Sequence, residues 1–393
     1  MTDLDHLVRP AVAGVRLSAI KDMAIRSAAI EGAVSLSWGL PSFRTPAPIR
    51  AAVARELERD PDIGKYALPA GLAELRQAVV SSHAAKTGVT ADADQNVLIT
   101  AGNMEGISTL LRVLIDPGDE VILTDPGFVS HYNQVELRGG VPVPWPLDEA
   151  RGWHLDPEAL ETLITPRTKA ILLVTPSNPT GTIFQQDDLL TIARIARERD
   201  FLVILDDPYS HFLYENEADY SNLASQGDLF DNIAYLFTFS KAYAMSGWRL
   251  GYMIVPDGLR RQALKVHDAT IICTPRISQV AGLAALTGDA AHLLEFEQTL
   301  AQRRELICER LDRLAHVFAY VRPQGAYYVF PQVLAEHDNA YDFAVTLLDE
   351  ARVSVTPGAA FGPSGEHHVR MAFCVDEDTI NAAFDRMDRY FGS

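Results

Sequence analysis

The chain is short of cysteine, of positive charge and of long apolar runs, and each shortage narrows what it can be. Three cysteines in 393 residues, Cys273, Cys308 and Cys374, lie too far apart for a disulfide framework or a metal-type CxxC. They read as small buried hydrophobes in a reducing compartment, and no metal site is expected. Lysine and arginine total 34 against 52 aspartates and glutamates, a formal net charge of −18. That balance argues against nucleic acid or an anionic membrane as the main partner. It does not exclude an anionic small substrate, because a site can be locally positive in an acidic protein. There is no GxGxxG, which disfavours a Rossmann dehydrogenase. The longest apolar runs, such as Ala170–Val174 and Phe201–Leu205, have the length of buried strands and fall short of a membrane span. The opening MTDLDHLVRPAVAG carries two early aspartates and no apolar signal-peptide core, so the expected location is the cytoplasm.

What is present suits a folded protein of more than one core. Hydrophobic residues make up 48% and charged residues 22%, so long disorder is not expected. The length suits two domains, or one large domain with a smaller partner. No repeat or low-complexity linker interrupts it. From about Ile49 to Ala285, helical segments such as Leu72–Ala85 and Gln186–Glu198 alternate with short apolar runs. The strand candidates are Asn96–Thr100, Glu120–Leu123, Ala170–Val174, Leu202–Leu205, Ile233–Phe237 and Leu250–Val255. Several are apolar throughout, as strands covered on both faces are. The alternation predicts an α/β domain with a mainly parallel sheet over residues 46–285. A smaller α+β domain is expected from residues 1–45 with 286–393, including a long charged helix over Leu293–Leu314. Short strands near Tyr327–Phe330 and Val369–Ala372 and a last helix from Thr379 complete it.

The densest chemistry lies in TFSKAYAMSGWRLGY, residues 238–252. Lys241 follows an apolar strand, flanked by Thr238 and Ser240, with Arg249 eight positions on (249 − 241 = 8). A lysine desolvated or held near other cations can attack a carbonyl. Two hydroxyls and a planar guanidinium are the donor types that grip a phosphate. Taken alone, a lysine at a strand end is ordinarily a surface residue. Its company reverses that reading.

SKAYAMSGWRLGY resembles the cofactor-lysine signature of the class I/II aminotransferases, pyridoxal-phosphate enzymes of fold type I. Seven motifs keep that family's order from about Val34 to Arg370. The resemblance implies a large domain with a mainly parallel, seven-stranded-type sheet sandwiched by helices, beside a smaller α+β domain. It implies pyridoxal 5′-phosphate held on Lys241 as a Schiff base. In SWGLPSF, residues 37–43, Gly39 inherits a backbone contact to the substrate carboxylate, while Ser42 stands where the family has an acid. Tyr66 matches a tyrosine that crosses a dimer interface to the neighbouring cofactor phosphate. In TAGNMEGI, residues 100–107, a strand runs into a helix whose N-terminus offers open amides and a positive dipole end. By position the backbone of Gly102, Asn103 and Met104 meets the phosphate, together with Thr238, Ser240 and Arg249.

Phe128 stands where a tyrosine or tryptophan usually stacks on the cofactor ring, and it cannot hydrogen-bond. His131 is expected behind the site or in solvent. In VTPSNPTG, residues 174–181, Asn178 corresponds to the donor to the ring hydroxyl oxygen and a holder of the substrate carboxylate. In LDDPY, residues 205–209, Asp206 matches the partner of the pyridine nitrogen and Tyr209 a hydrogen bond to the ring oxygen. Asp207 takes no direct role. Arg370, in HVRMAF, matches the arginine that clamps the substrate α-carboxylate, and residues 323–330 resemble the strand lining the same pocket.

The implied reaction moves an amino group from an L-amino acid to a 2-oxo acid, by family habit 2-oxoglutarate, in a homodimer with shared sites. Carbon–sulfur β-elimination and cyclopropane-carboxylate synthesis run on the same scaffold and share these motifs. A regulatory module descended from the enzyme is disfavoured, because the short N-terminal stretch leaves no room for a DNA-binding segment. Nothing in the sequence identifies the amino donor.

Overall fold

The computed structural model describes residues 5–15, 19–214 and 222–392. Its centre is a seven-stranded sheet. In spatial order the strands are Val97–Thr100, Gly251–Ile254, Ile233–Thr238, Leu202–Asp207, Thr168–Val174, Glu120–Asp125 and Val141–Pro146. Gly251–Ile254 pairs antiparallel with both neighbours, and the remaining pairs are parallel. Strands such as Thr168–Val174 and Ile233–Thr238 are buried almost throughout, because helices cover both faces of the sheet. This is why their sequences are apolar on both alternations. The α/β architecture therefore agrees with the sequence reading.

Six strands were expected from the residues, and the seventh is Val141–Pro146. Its sequence VPVPWP carries Pro142, Pro144 and Pro146 and does not read as a strand. It lies at the edge of the sheet. Helix ends differ as well, and the long helix expected over Leu293–Leu314 spans Ala291–Arg313. The last helix spans Glu377–Phe391 and begins ahead of Thr379, because Asp376 caps it by accepting from the Thr379 amide at 2.8 Å. The helix expected over Leu72–Ala85 spans Ala73–Thr87 and stops at Gly88, which has φ +72°.

Short strands form the remaining sheets. Tyr328–Val329 and Thr356–Pro357 flank Val369–Ala372, all antiparallel. Val34–Ser35 pairs with Val353–Ser354, bringing the chain's early segment to its late one. The long helix Ala291–Arg313 packs on the terminal helix Glu377–Phe391. The carboxyl ends of five sheet strands, after Thr100, Asp125, Val174, Asp207 and Thr238, converge on one side of the large sheet. Loops at carboxyl strand ends are where open α/β sheets build ligand sites.

Candidate active site

Every expected site residue except Gly102 and Tyr66 lines one pocket at those strand ends. At its floor, Lys241 directs Nζ to the carbonyl of Gly39 at 3.0 Å. Burial lowers the Lys241 pKa to about 8, helped by the positive charges of Arg370 and Arg249 and opposed by Cys374 and Asp206. The neutral, nucleophilic amine is therefore accessible near neutral pH.

One end of the pocket is built for an anion. The helix Asn103–Leu114 starts behind Gly102, which provides no side-chain cap. Its first two amides precede the first intrahelical bonds, which Glu105 and Gly106 make to the Gly102 carbonyl. Gly102 has φ +78°, a left-handed backbone that favours glycine, and the missing Cβ leaves room for Arg249 Nη2, which would lie 2.7 Å from it. Arg249 itself donates to the Ser246 and Ala101 carbonyls at 2.8 and 3.4 Å. The Thr238 hydroxyl donates to Ser240 Oγ at 2.9 Å, so the two hydroxyls sit side by side opposite the helix end.

At the other end stands Asp206, buried at the end of its strand. Asn103 Nδ2 donates to its Oδ1 at 2.6 Å, and His131 Nε2 lies 3.2 Å from its Oδ2. His131 is buried, so of the two places expected for it the one behind the site holds. The ring of Phe128 meets His131 edge-on at 5.2 Å. Asp207 points away from the pocket and accepts from Tyr235 Oη and the Ser210 amide, a structural assignment. Ser42, standing in for an acid, accepts from Arg303 Nη1 at 2.9 Å.

Arg370 reaches in from the small antiparallel sheet. It donates from Nη1 to Asn178 Oδ1 at 3.0 Å and from Nη2 to the Ser37 carbonyl at 2.6 Å. Its guanidinium lies on the faces of Tyr328 and Phe361. The side chain is 1% exposed, has no acidic partner among the described residues, and leaves Nε without a bond. A buried cation without a counter-ion is costly unless an anion joins it. The arrangement can thus hold a carboxylate at Arg370, a phosphate at the Gly102 turn, and a reactive amine between them.

Tyr66 stands apart, 77% exposed and away from the pocket of its own chain. The sequence reading gave no role to three contacts: the Asn103 side chain on Asp206, His131 on the same carboxylate, and Tyr328 against Tyr209 and Arg370. Among the described residues no group of histidine, cysteine and acidic side chains is arranged to hold a metal, and no helix is long and apolar enough to cross a membrane.

The family model for aminotransferase class I and II matches residues 31–387. An aspartate aminotransferase of Pyrococcus horikoshii is 33% identical, over 95% of both chains. An aromatic-amino-acid aminotransferase of Thermococcus litoralis is 32% identical, over 92% of both. The structure of an aspartate aminotransferase from Thermus thermophilus with maleate superposes with a TM-score of 0.91 at 30% identity, covering 97% of this chain and 99% of that one.

Proposed function

Because this chain belongs to the class I and II aminotransferases, which work with pyridoxal phosphate, we propose that the pocket described above is its transamination site and that Lys241 is the catalytic residue. The observation that carries this reading is Arg370, a buried guanidinium with open donors and no acid beside it among the described residues.

The donor set fits the cofactor. Gly102, Asn103 and Met104 at the helix start, with Thr238, Ser240 and Arg249, hold its phosphate; Tyr66 comes to the same phosphate from a second copy. Asp206 takes the pyridine nitrogen, Phe128 stacks on the ring, and Asn178 and Tyr209 address the ring oxygen. When bound, pyridoxal phosphate supplies an electron-accepting ring that stabilises the charge left on the substrate's Cα. The protein's own work is orientation and proton movement. Arg370 binds the amino acid's α-carboxylate by two charge-assisted hydrogen bonds, with Gly39 and Asn178 beside it. Lys241, uncharged for a useful fraction of the time, removes the Cα proton and returns it on the other side of the transfer. Asn103 and His131 fix the orientation of the Asp206 carboxylate that faces the ring nitrogen.

The acceptor in this reading is 2-oxoglutarate; maleate, found with the Thermus relative, is likewise a dicarboxylate. A panel of amino donors with 2-oxoglutarate tests it, and glutamate should form with at least one donor. A protein that turns over β-substituted amino acids and needs no oxo-acid acceptor is instead a β-lyase. The division into residues 46–285 and residues 1–45 with 286–393 belongs to the same reading. The Val34–Ser35 pairing and the bond from the Ala372 amide to the Leu36 carbonyl support it, and the smaller body closes over substrate. A cytoplasmic setting suits the three free cysteines.

A homodimer completes the reading, because Tyr66 is exposed and Leu68 beside it is too. Where Lys241→Ala and Tyr66→Phe chains are each inactive alone, mixing them should restore part of the activity through mixed dimers. A fully active monomer in sedimentation would refute shared sites.

A further inference from the structure

Tyr328 touches two functional groups at once. Its hydroxyl lies 3.0 Å from that of Tyr209, and its ring centroid lies 4.4 Å from Cζ of Arg370. The local fold explains both contacts. Tyr328 pairs with Ala372 across the small sheet, so Arg370, two residues before Ala372, shares its face and is its diagonal neighbour. Tyr209 comes from the loop after Leu202–Asp207 of the large sheet, so the hydroxyl pair joins the two sheets. The tyrosine rings meet edge-on, with centroids 5.7 Å apart and planes at 87°. At Gly39 a Cβ would fall 2.0 Å from the Tyr328 hydroxyl, so the glycine opens the space that this hydroxyl occupies.

A phenol has one proton to donate. Burial raises the Tyr209 phenol well above its ordinary range, so it remains a donor at working pH. When that proton is directed to the cofactor's ring oxygen, the Tyr209 oxygen can only accept, and Tyr328 is the donor within reach. Donors in series polarise one another in a low-dielectric pocket.

We propose that Tyr328 is a positioning residue with two separable tasks: its ring face orients Arg370 for the substrate carboxylate, and its hydroxyl donates to Tyr209, strengthening the Tyr209 bond to the cofactor's ring oxygen. The proposal rests on the cofactor placement given above. Weaker donation leaves more charge on the ring oxygen, which then holds the neighbouring proton more tightly. The pH midpoint of the bound cofactor's visible band therefore rises when the Tyr328 hydroxyl is lost.

The test compares Tyr328→Phe and Tyr328→Leu in the reconstituted holoenzyme. Tyr328→Phe keeps the ring face, so KM for the amino donor stays within about twofold. Its midpoint rises by roughly half a unit to one unit. Tyr328→Leu loses both tasks, and KM also rises about three- to thirtyfold. In a Tyr209→Phe background, Tyr328→Phe moves the midpoint no further, because the hydroxyl acts through Tyr209. An unmoved midpoint in Tyr328→Phe, or an equal shift without Tyr209, overturns the hydroxyl task. An unchanged KM in Tyr328→Leu overturns the ring task. A wild-type protein that gains no visible band with pyridoxal phosphate overturns the cofactor placement itself, a failure distinct from either.

Discussion

Lys241→Ala is expected to lower kcat by about 10²- to 10⁴-fold, the scale on which a positioned acid–base group acts. The variant should fold, because the Lys241 amine makes its hydrogen bond to a single backbone carbonyl, that of Gly39, and its removal relieves repulsion from Arg370 and Arg249. Proton occupancy explains why this lysine suits the task. With its pKa lowered to about 8, roughly a tenth of the amine is neutral at pH 7, against roughly one part in 3,000 for an unperturbed lysine. The depressed value sets the sign: the reactive form is lost as pH falls below about 8 and saturates above it. Covalent capture of pyridoxal phosphate by the wild-type apoprotein, followed by absorbance, should accelerate about tenfold per pH unit up to that point and then level off. Lys241→Ala should show no such phase. Capture that stays flat from about pH 6 to 9, or a variant keeping more than about a hundredth of kcat, would remove Lys241 from the centre of the reaction.

Arg370→Lys should lower kcat/KM for both half-reactions by roughly thirty- to a thousandfold. An ammonium cannot reproduce the planar fork. The fork here already serves Asn178 Oδ1 and the Ser37 carbonyl while lying between Tyr328 and Phe361. Loss of a buried charged contact of this kind costs roughly 2–4 kcal/mol, and about 1.4 kcal/mol corresponds to a tenfold change. The cofactor's visible band should persist, because Asp206, Thr238, Lys241 and Arg249 are untouched. Near-normal kcat/KM for every amino donor would show that Arg370 is not the carboxylate clamp. Loss of the band would show that the substrate pocket has been misplaced.

The central strands were readable because burial on both faces forces an apolar sequence, as in Ala170–Val174 and Ile233–Phe237. The pocket side chains that follow those strands were readable for a related reason, since each sits in a short motif at a strand end. Val141–Pro146 was not readable, because a proline-rich segment joins a sheet only where one edge is free, and only the assembled sheet defines that edge. The side chains that act through others were equally hidden. His131 lies 75 positions from the carboxylate it touches, and Tyr328 lies 119 from Tyr209. No local pattern records such distances. Asn103 was noticed for its backbone, while its side chain serves Asp206, 103 positions away. Tyr66 marks the opposite limit: its motif suggested a role that one chain cannot display.

The proline alternation in the last strand reaches beyond its own pairing. Val141 and Leu147 donate amides inward, to Asp119 and Asp125. Successive residues turn their amides to opposite sides, so Pro142, Pro144 and Pro146 occupy the positions whose amides would face outward. That border presents carbonyls with no N–H between them and cannot act as a template for an incoming strand. The sheet is closed at this side by the chemistry of its own border strand, which offers a would-be added strand, as in fibre growth or strand exchange, no N–H donors to pair with.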